Sequence, residues 1–187
     1  GSVEAVPNEA QMSFGVETRR PTAREAVAAN ADAMRRVINA LRRSGGREIA
    51  TQWVSVYPYS RDDGVIDGYS ASNTVSATAD VDEAAALIDA AAEAGANQIS
   101  GPGLSSSDAE ALYREALAKA VSEARARAEV LAEAAGRSVG EITSISEGAG
   151  ASPLPYAERA ALDAASTPIV PGEQETTATI TVTFSLR

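Results

Sequence analysis

Carboxylates, hydroxyls, tyrosines, arginines and one lysine make up the chemistry that this sequence offers, because it contains neither histidine nor cysteine. Thiolate nucleophiles, Ser-His-Asp triads and imidazole or thiolate zinc sites are therefore excluded within the chain. Two carboxylates flanking a glycosidic bond could still hydrolyse it. Most acidic residues of the long helix, however, alternate with arginines in the spacing of a solvated ion-pair network. We predict no catalytic residues and treat a carboxylate-dependent hydrolase as the least favoured function.

Two glycine-containing segments resemble ligand sites only in part. Asp62-Asp63-Gly64 with Asp67-Gly68 offers oxygen ligands to Ca²⁺, but it lacks the spacing and the distal Glu of a calcium loop. Asp-Gly is common in hairpin turns, so we predict a turn. Gly101-Pro102-Gly103 precedes the long helix as a phosphate loop would, but without the rest of such a motif. We predict that it ends a strand, and that the chain holds neither a metal nor a cofactor.

The strongest candidates for an interface or ligand surface are four aromatic residues, Trp53, Tyr57, Tyr59 and Tyr69. The period-2 alternation of a strand places the first three on one face together with Ser55, and Val54 and Val56 on the other. Only 4% of the residues are aromatic, so few large side chains are available for a core. The favoured interpretation is therefore packing against the protein's own helices. A subunit contact and a platform for a small molecule or glycan are the alternatives.

Composition limits the partners. A net charge of −10 opposes binding to a phosphate backbone, so we predict no nucleic-acid partner. No apolar run reaches the ~20 residues that span a bilayer. Absence of cysteine is compatible with export. Gly1-Ser2 resembles a cloning remnant, and we expect a signal peptide or lipid anchor upstream of Val3 in the native protein.

The elements that must position these residues follow the order β-α-β-β-α-β. Their predicted ranges are 9–18, 22–45, the two arms of a hairpin within 51–78, 80–95 and 95–101. This order matches the split-βαβ, ferredoxin-like core of an α+β protein. A long helix and two C-terminal strands extend the core, over 107–135, 138–147 and 177–186. We predict a single domain over 1–187, in which 148–172 is an exposed excursion.

The long helix carries a predicted inner stripe of apolar residues, namely Leu112, Tyr113, Ala116, Leu117, Ala120, Val121, Ala124 and Leu131. At ~1.5 Å per residue the helix would be roughly 43 Å long, about the width of the whole domain. We expect one end to pack within the chain and the excess length to be available to a neighbour.

Several segments, in this order, resemble the SIMPL-domain family of exported bacterial and archaeal proteins. They are VEAVPNEAQMSFGVET, ATQWVSVYPYS, IDGYSASNTVSAT, GANQISGPGLSSSD, ALAKAVSEARARAEVLAEAAGRSVGEITSISEG and TATITVTFSLR. The family includes periplasmic immunogenic proteins and proteins linked to oxidative-stress defence. The resemblance implies an α+β domain outside the cytoplasm, often a homo-oligomer, with no established catalytic residues to transfer. One departure is the strand before the first Pro, which is reduced to Val3–Val6 and could leave a sheet edge exposed.

These observations predict a non-enzymatic, extracytoplasmic protein that acts through self-association or through contacts with envelope proteins, with a role related to stress. The alternative is a small-molecule or glycan binding module that uses the aromatic hairpin, in which Trp53, Tyr57 and Tyr59 contact the ligand.

Overall fold

A computed structural model describes residues 1–60, 64–148 and 168–187, together with the backbone of 154–155. Within these ranges the elements are β1 (Ser2–Ala5), β2 (Glu9–Arg20), α1 (Ala23–Arg43), β3 (Arg47–Ser60), β4 (Ile66–Asp80), α2 (Ala84–Ala94), β5 (Gln98–Ser105), α3 (Ala109–Ala134), β6 (Val139–Glu147), β7 (Leu154–Pro155), β8 (Gln174–Thr177) and β9 (Ile180–Leu186). Most of the predicted excursion over 148–172 lies outside the described residues.

The chain divides into two compact units. The sheet unit contains residues 8–105 and, among those described, 168–171. The terminal unit contains 1–7, 106–148, 154–155 and 172–187. The single domain over 1–187 stays a prediction.

The sheet unit is built on four antiparallel strands in the order β3-β4-β2-β5. Helix α1 connects β2 to β3, which have β4 between them, and α2 connects β4 to β5, which have β2 between them. This combination of helices and antiparallel sheets confirms the α+β class. The more specific assignment of the β-α-β-β-α-β elements to a ferredoxin-like, split-βαβ core stays a prediction.

One face of this sheet carries the core. The apolar set of β2 is fully buried and consists of Ala10, Met12, Phe14 and Val16. The antiparallel register places Phe14 beside Val75 of β4 and beside Ile99 of β5. Met34, Val37 and Leu41 of α1 and Leu87 of α2 complete the cluster. Strict alternation along β2 therefore puts every large apolar side chain beneath the helices.

Helix α1 begins as its capping-box pattern predicts. The amide of Glu25 donates to Thr22 Oγ1 at 3.3 Å, and the Thr22 hydroxyl donates to the Glu25 carboxylate at 2.8 Å. The helix ends at Arg43 with Ser44 as its C-cap, and Gly45 follows with a φ of +87°, a conformation that favours glycine.

The prediction that Gly101-Pro102-Gly103 ends a strand is wrong, because β5 continues through it to Ser105. The register of β5 on β2 shifts between Gln11 and Ser13, and this irregularity accommodates the segment. Gly101 has a φ of +109°, and a Cβ there would lie 2.9 Å from the carbonyl oxygen of Gln11. Glycine is required there because the β2 backbone approaches so closely.

The terminal unit contains a sheet in the order β1-β8-β7 and an antiparallel β6-β9 pair, both contacted by α3. Its core consists of Val3, Ala116 and Ala178, with Leu112, Tyr113 and Leu117 packed against them. Leu131, predicted in the buried stripe of α3, is instead 72% exposed. The adjacent Ala132 is buried, so at this end of α3 the covered side of the helix contains Ala132 and not Leu131. Among the helices in the described ranges, none is long and apolar enough to cross a membrane.

Candidate functional site

Three of the four predicted aromatic residues share one surface. The β3–β4 register pairs Trp53 with Thr74, Tyr57 with Ser70 and Tyr59 with Gly68. Val75 and Ala77 belong to the buried set, so the even-numbered residues of β4 lie on the face opposite the helices. Tyr69 pairs with Pro58 and Arg20 and therefore lies on the helix side. The candidate surface thus contains Trp53, Tyr57 and Tyr59, without Tyr69.

The favoured interpretation, in which these aromatics pack on the protein's own helices, is wrong for two of them. Trp53 is 61% exposed and Tyr57 is 45% exposed. Both lie on the sheet face that the helices do not cover, so neither contributes to the apolar core of the sheet unit. The two alternatives, an interface and a ligand surface, stay predictions for these two side chains.

We call this surface the hydroxyl face. Besides the aromatics it includes Ser13, Gly15, Glu17 and Arg19 of β2, Ser55 of β3, Ser70, Ser72, Thr74, Ser76 and Thr78 of β4, and Gln98 and Ser100 of β5. The small side chains of the central strand β4 are nearly buried. They form a polar floor between the longer side chains of its neighbours.

A basin of about 290 Å³ lies on the hydroxyl face and crosses all four strands. Gly15 and Thr74 lie at its centre, while Trp53 of β3 and Gln98 of β5 line opposite sides. A Cβ on Gly15 would lie 3.0 Å from the Cβ of Gln98 and 3.2 Å from Thr74 Oγ1. Any larger residue at position 15 would therefore crowd the basin, and we name it the Gly15 basin.

Gln52 also lines the Gly15 basin, because β3 shifts register between Thr51 and Trp53. The irregularity inserts one residue and turns the Gln52 side chain toward the hydroxyl face. There, Gln52 Nε2 donates to Ser76 Oγ at 2.8 Å, which holds the amide in place.

Glu17 organises the polar side chains next to the basin. Its carboxylate accepts hydrogen bonds from Ser70 Oγ at 2.9 Å, from Gln98 Nε2 at 3.0 Å and from Arg19 Nε at 3.1 Å. These interactions, the Ser70 hydrogen bond foremost, lower the pKa of Glu17 in spite of partial burial. An ionised Glu17 therefore fixes the orientation of the Gln98 amide at the wall of the basin.

The backbone at Glu17 is held as firmly as its side chain. The amide of Glu17 donates to Asn97 Oδ1 at 2.8 Å, and Asn97 Nδ2 donates to the carbonyl of Glu17 at 2.9 Å. The side chain of Asn97 thus continues the β2–β5 hydrogen bonding beyond the last paired residue. Arg19 in turn lies over the ring of Tyr59, 5.5 Å from its centroid.

Sequence reasoning missed Gly15, Glu17 and Gln98. A signal for Gly15 was present, because a glycine inside an alternating strand marks a close approach or a surface depression. Glu17 and Gln98 had no comparable signal, since their roles depend on the register of β2 against β5.

The predicted turn at Asp62-Asp63-Gly64 lies partly outside the described residues, which do not include Asp62 and Asp63. In the ranges that are described, no three Asp or Glu side chains group closely enough to hold a metal ion.

Comparison with known proteins gives consistent matches over all or nearly all of the chain. The family described as SIMPL, protein of unknown function (DUF541), matches residues 1–184. The 26 kDa periplasmic immunogenic proteins of Brucella melitensis biotype 1 and of Brucella abortus strain S19 are each 31% identical to the chain over 205 residues. The matched region covers 100% of this chain and 82% of each relative. Neither the family description nor these names state an enzymatic activity.

Proposed function

Because this chain belongs to the SIMPL family, we propose that it is an extracytoplasmic protein that acts by association rather than by catalysis, pairing with a second copy of itself through strand β3. The periplasmic names of its relatives support the compartment. The single observation that carries the association is the outer edge of β3.

That edge is long and apolar, and no described strand covers it. Strand β3 lies at one end of the sheet, and no strand in the described part of the chain pairs with its outer side. The segment 52–57 carries no charge and lies between the register shift after Thr51 and Pro58. Valines and aromatics within it are strongly exposed, namely Trp53, Val54, Val56 and Tyr57. Natural sheet edges of this kind are normally blunted by charges or covered, since they otherwise template aggregation.

The opposite edge of the same sheet is protected. Strand β5 is interrupted near its middle by Gly101-Pro102-Gly103 and by a register shift against β2. Strand β3 also contains a proline, Pro58, and three register shifts against β4, but its pairing is regular from Trp53 to Tyr59, which leaves 53–57 without an interruption. The two edges therefore differ in their capacity to accept another strand, and β3 is the one suited to it.

A second copy of the chain fits the β3 edge because antiparallel pairing about a two-fold axis brings the same surface to both sides. Trp53 and Tyr57 would then extend one face, and Val54 and Val56 the other. The net charge of −10 opposes association of two copies in general. An uncharged contact segment concentrates the attraction where this repulsion is weakest.

The test compares Val54→Lys with Val27→Lys. Val54 lies in the segment 52–57, whereas Val27 is a similarly exposed valine on α1. We expect the unaltered chain and Val27→Lys to associate with increasing concentration in sedimentation velocity. Val54→Lys should weaken association by at least about tenfold, because the symmetric contact would bring two ammonium groups together.

Circular dichroism verifies that each variant is folded, which the exposure of both valines leads us to expect. A chain that remains monomeric at every concentration would overturn the proposal. Equal association of the two lysine variants would overturn the assignment to β3.

A further inference from the structure

The Gly15 basin has the features of a ligand site, and we propose that it binds a neutral saccharide. Contacts through the β3 edge would use backbone groups at the side of the sheet, whereas the basin opens on its face. The inference is therefore independent of pairing through β3.

The basin presents hydroxyl groups that are free to bind. The side chains of Ser13, Thr74 and Ser100 line it, and within the described ranges none of the three makes a side-chain hydrogen bond. A hydroxyl can donate one hydrogen bond and accept two. A ligand rich in alcohol groups, which donate and accept in the same way, matches this set.

Two amides add directional groups at fixed positions. Gln98 is held by its hydrogen bond to Glu17, and Gln52 by its hydrogen bond to Ser76. Each amide uses one N–H in this way and retains a second N–H and a carbonyl oxygen. Because both side chains are already ordered, ligand binding would cost little additional side-chain conformational entropy.

The lining of the basin is uncharged. None of its residues is ionisable, and the charge of the adjacent Glu17 carboxylate is already paired with Arg19, whose Nη2 lies 3.0 Å from Glu17 Oε1. Burying an anionic or cationic ligand group here would lack a compensating charge and is therefore unfavourable. A neutral ligand is the class that the site accommodates without that cost.

Trp53 supplies the apolar part of the recognition. Its indole is large, exposed and located at the basin. A pyranose ring presents C–H groups on its faces and hydroxyls around its edge. An aromatic wall beside hydroxyl and amide groups suits both parts of such a ring. The volume of about 290 Å³ is at the lower end of ligand pockets and suits a short saccharide segment.

The experiment uses the fluorescence of Trp53, which is the single tryptophan. The chain is titrated with maltotriose, cellotriose and triacetylchitotriose. We expect a saturable change in emission with at least one of them. Backbone amide shifts in NMR spectra, followed at Gln98 and Ser100, provide a second reading that does not depend on the indole.

Two variants test the location of binding. Gly15→Ala places a methyl group at the centre of the basin, and Thr74→Val removes one lining hydroxyl with little change in shape. Each should weaken binding by about tenfold or more. The control is Ser55→Ala, which removes a hydroxyl from the same face outside the basin and should bind as the unaltered chain does.

If Gly15→Ala does not fold, Thr74→Val and Ser100→Ala carry the test. The absence of any saturable change in both fluorescence and NMR would overturn the proposal. Binding that is the same in the basin variants and in Ser55→Ala would also overturn it, because the saccharide would then bind elsewhere.

Discussion

The two faces of the four-stranded sheet are built from the same strands and yet have opposite characters. Along β4, Ala71, Val75, Ala77 and Ala79 lie under the helices and are almost completely buried, while the alternating Ser and Thr residues form the polar floor of the other face. The helix face holds the largest buried side chains of the sheet unit, whereas the hydroxyl face leaves the single Trp in solvent. In a chain with so few aromatics, this difference assigns the apolar core to one face and leaves the other face for the recognition that we propose.

The largest expected contrast comes from truncating one aromatic on each face. Phe14 is fully buried between β4 and β5, so Phe14→Ala should lower the free energy of unfolding by about 3–5 kcal/mol. Trp53→Ala removes a larger ring from the exposed face and should cost less than about 1 kcal/mol. Urea unfolding of both variants measures the difference. Similar losses in the two variants would contradict the division of roles between the faces.

A smaller contrast separates two amides that each bind two backbone groups. Asn30 of α1 is 3% exposed, and its Nδ2 donates to the carbonyls of Val16 at 2.7 Å and Ala71 at 2.9 Å. Asn30→Ala would leave buried polar groups short of partners and should cost about 1–3 kcal/mol. Its match is Asn97→Ala, which removes two hydrogen bonds to Glu17 at an exposed position.

Water can replace the partners that Asn97→Ala removes, so we expect a loss below about 1 kcal/mol for that variant. Thermal unfolding of the pair provides the comparison. If Asn97→Ala lost more stability than Asn30→Ala, burial would not be the factor that decides how much these amide–backbone hydrogen bonds contribute.

The helix face was predictable from sequence because its determinants are local. Alternation along β2 identifies Ala10, Met12, Phe14 and Val16 as one face, and the capping residues Thr22 and Glu25 identify where α1 begins. The wrong prediction at Gly101-Pro102 also came from relying on local determinants. The local preference of this segment indicates a strand end, whereas pairing with β2 carries β5 past it with a register shift.

The hydroxyl face was only partly predictable. Alternation shows that Trp53 and Tyr57 share a face, but not which face the helices cover. The position of Tyr69 on the opposite side depends on the register of β4 against β3, and the Gly15 basin depends on all four strands being in register. Such features arise from pairing between distant segments, which a single sequence does not specify by periodicity alone.

The smallest expected effect is a pH dependence confined to the hydroxyl face. Hydrogen bonding by Ser70, with smaller contributions from Arg19 and Gln98, lowers the pKa of Glu17 below its usual value of 4.5. An ionised Glu17 therefore stabilises the folded chain fully above pH 4.5. This contribution is lost as the pH falls through the lowered folded-state pKa.

Glu17→Gln should accordingly be less stable than the unaltered chain at neutral pH, by less than the loss in Asn30→Ala, and the difference should shrink in acid. Ser70→Ala should reproduce part of the effect, since it removes the principal donor to the carboxylate. Unfolding free energies measured from neutral pH to well below pH 4.5 would show this. A difference that is constant with pH would mean that Glu17 acts through packing alone. The contribution of the hydroxyl face to stability would then be independent of pH, like that of the apolar contacts on the helix face.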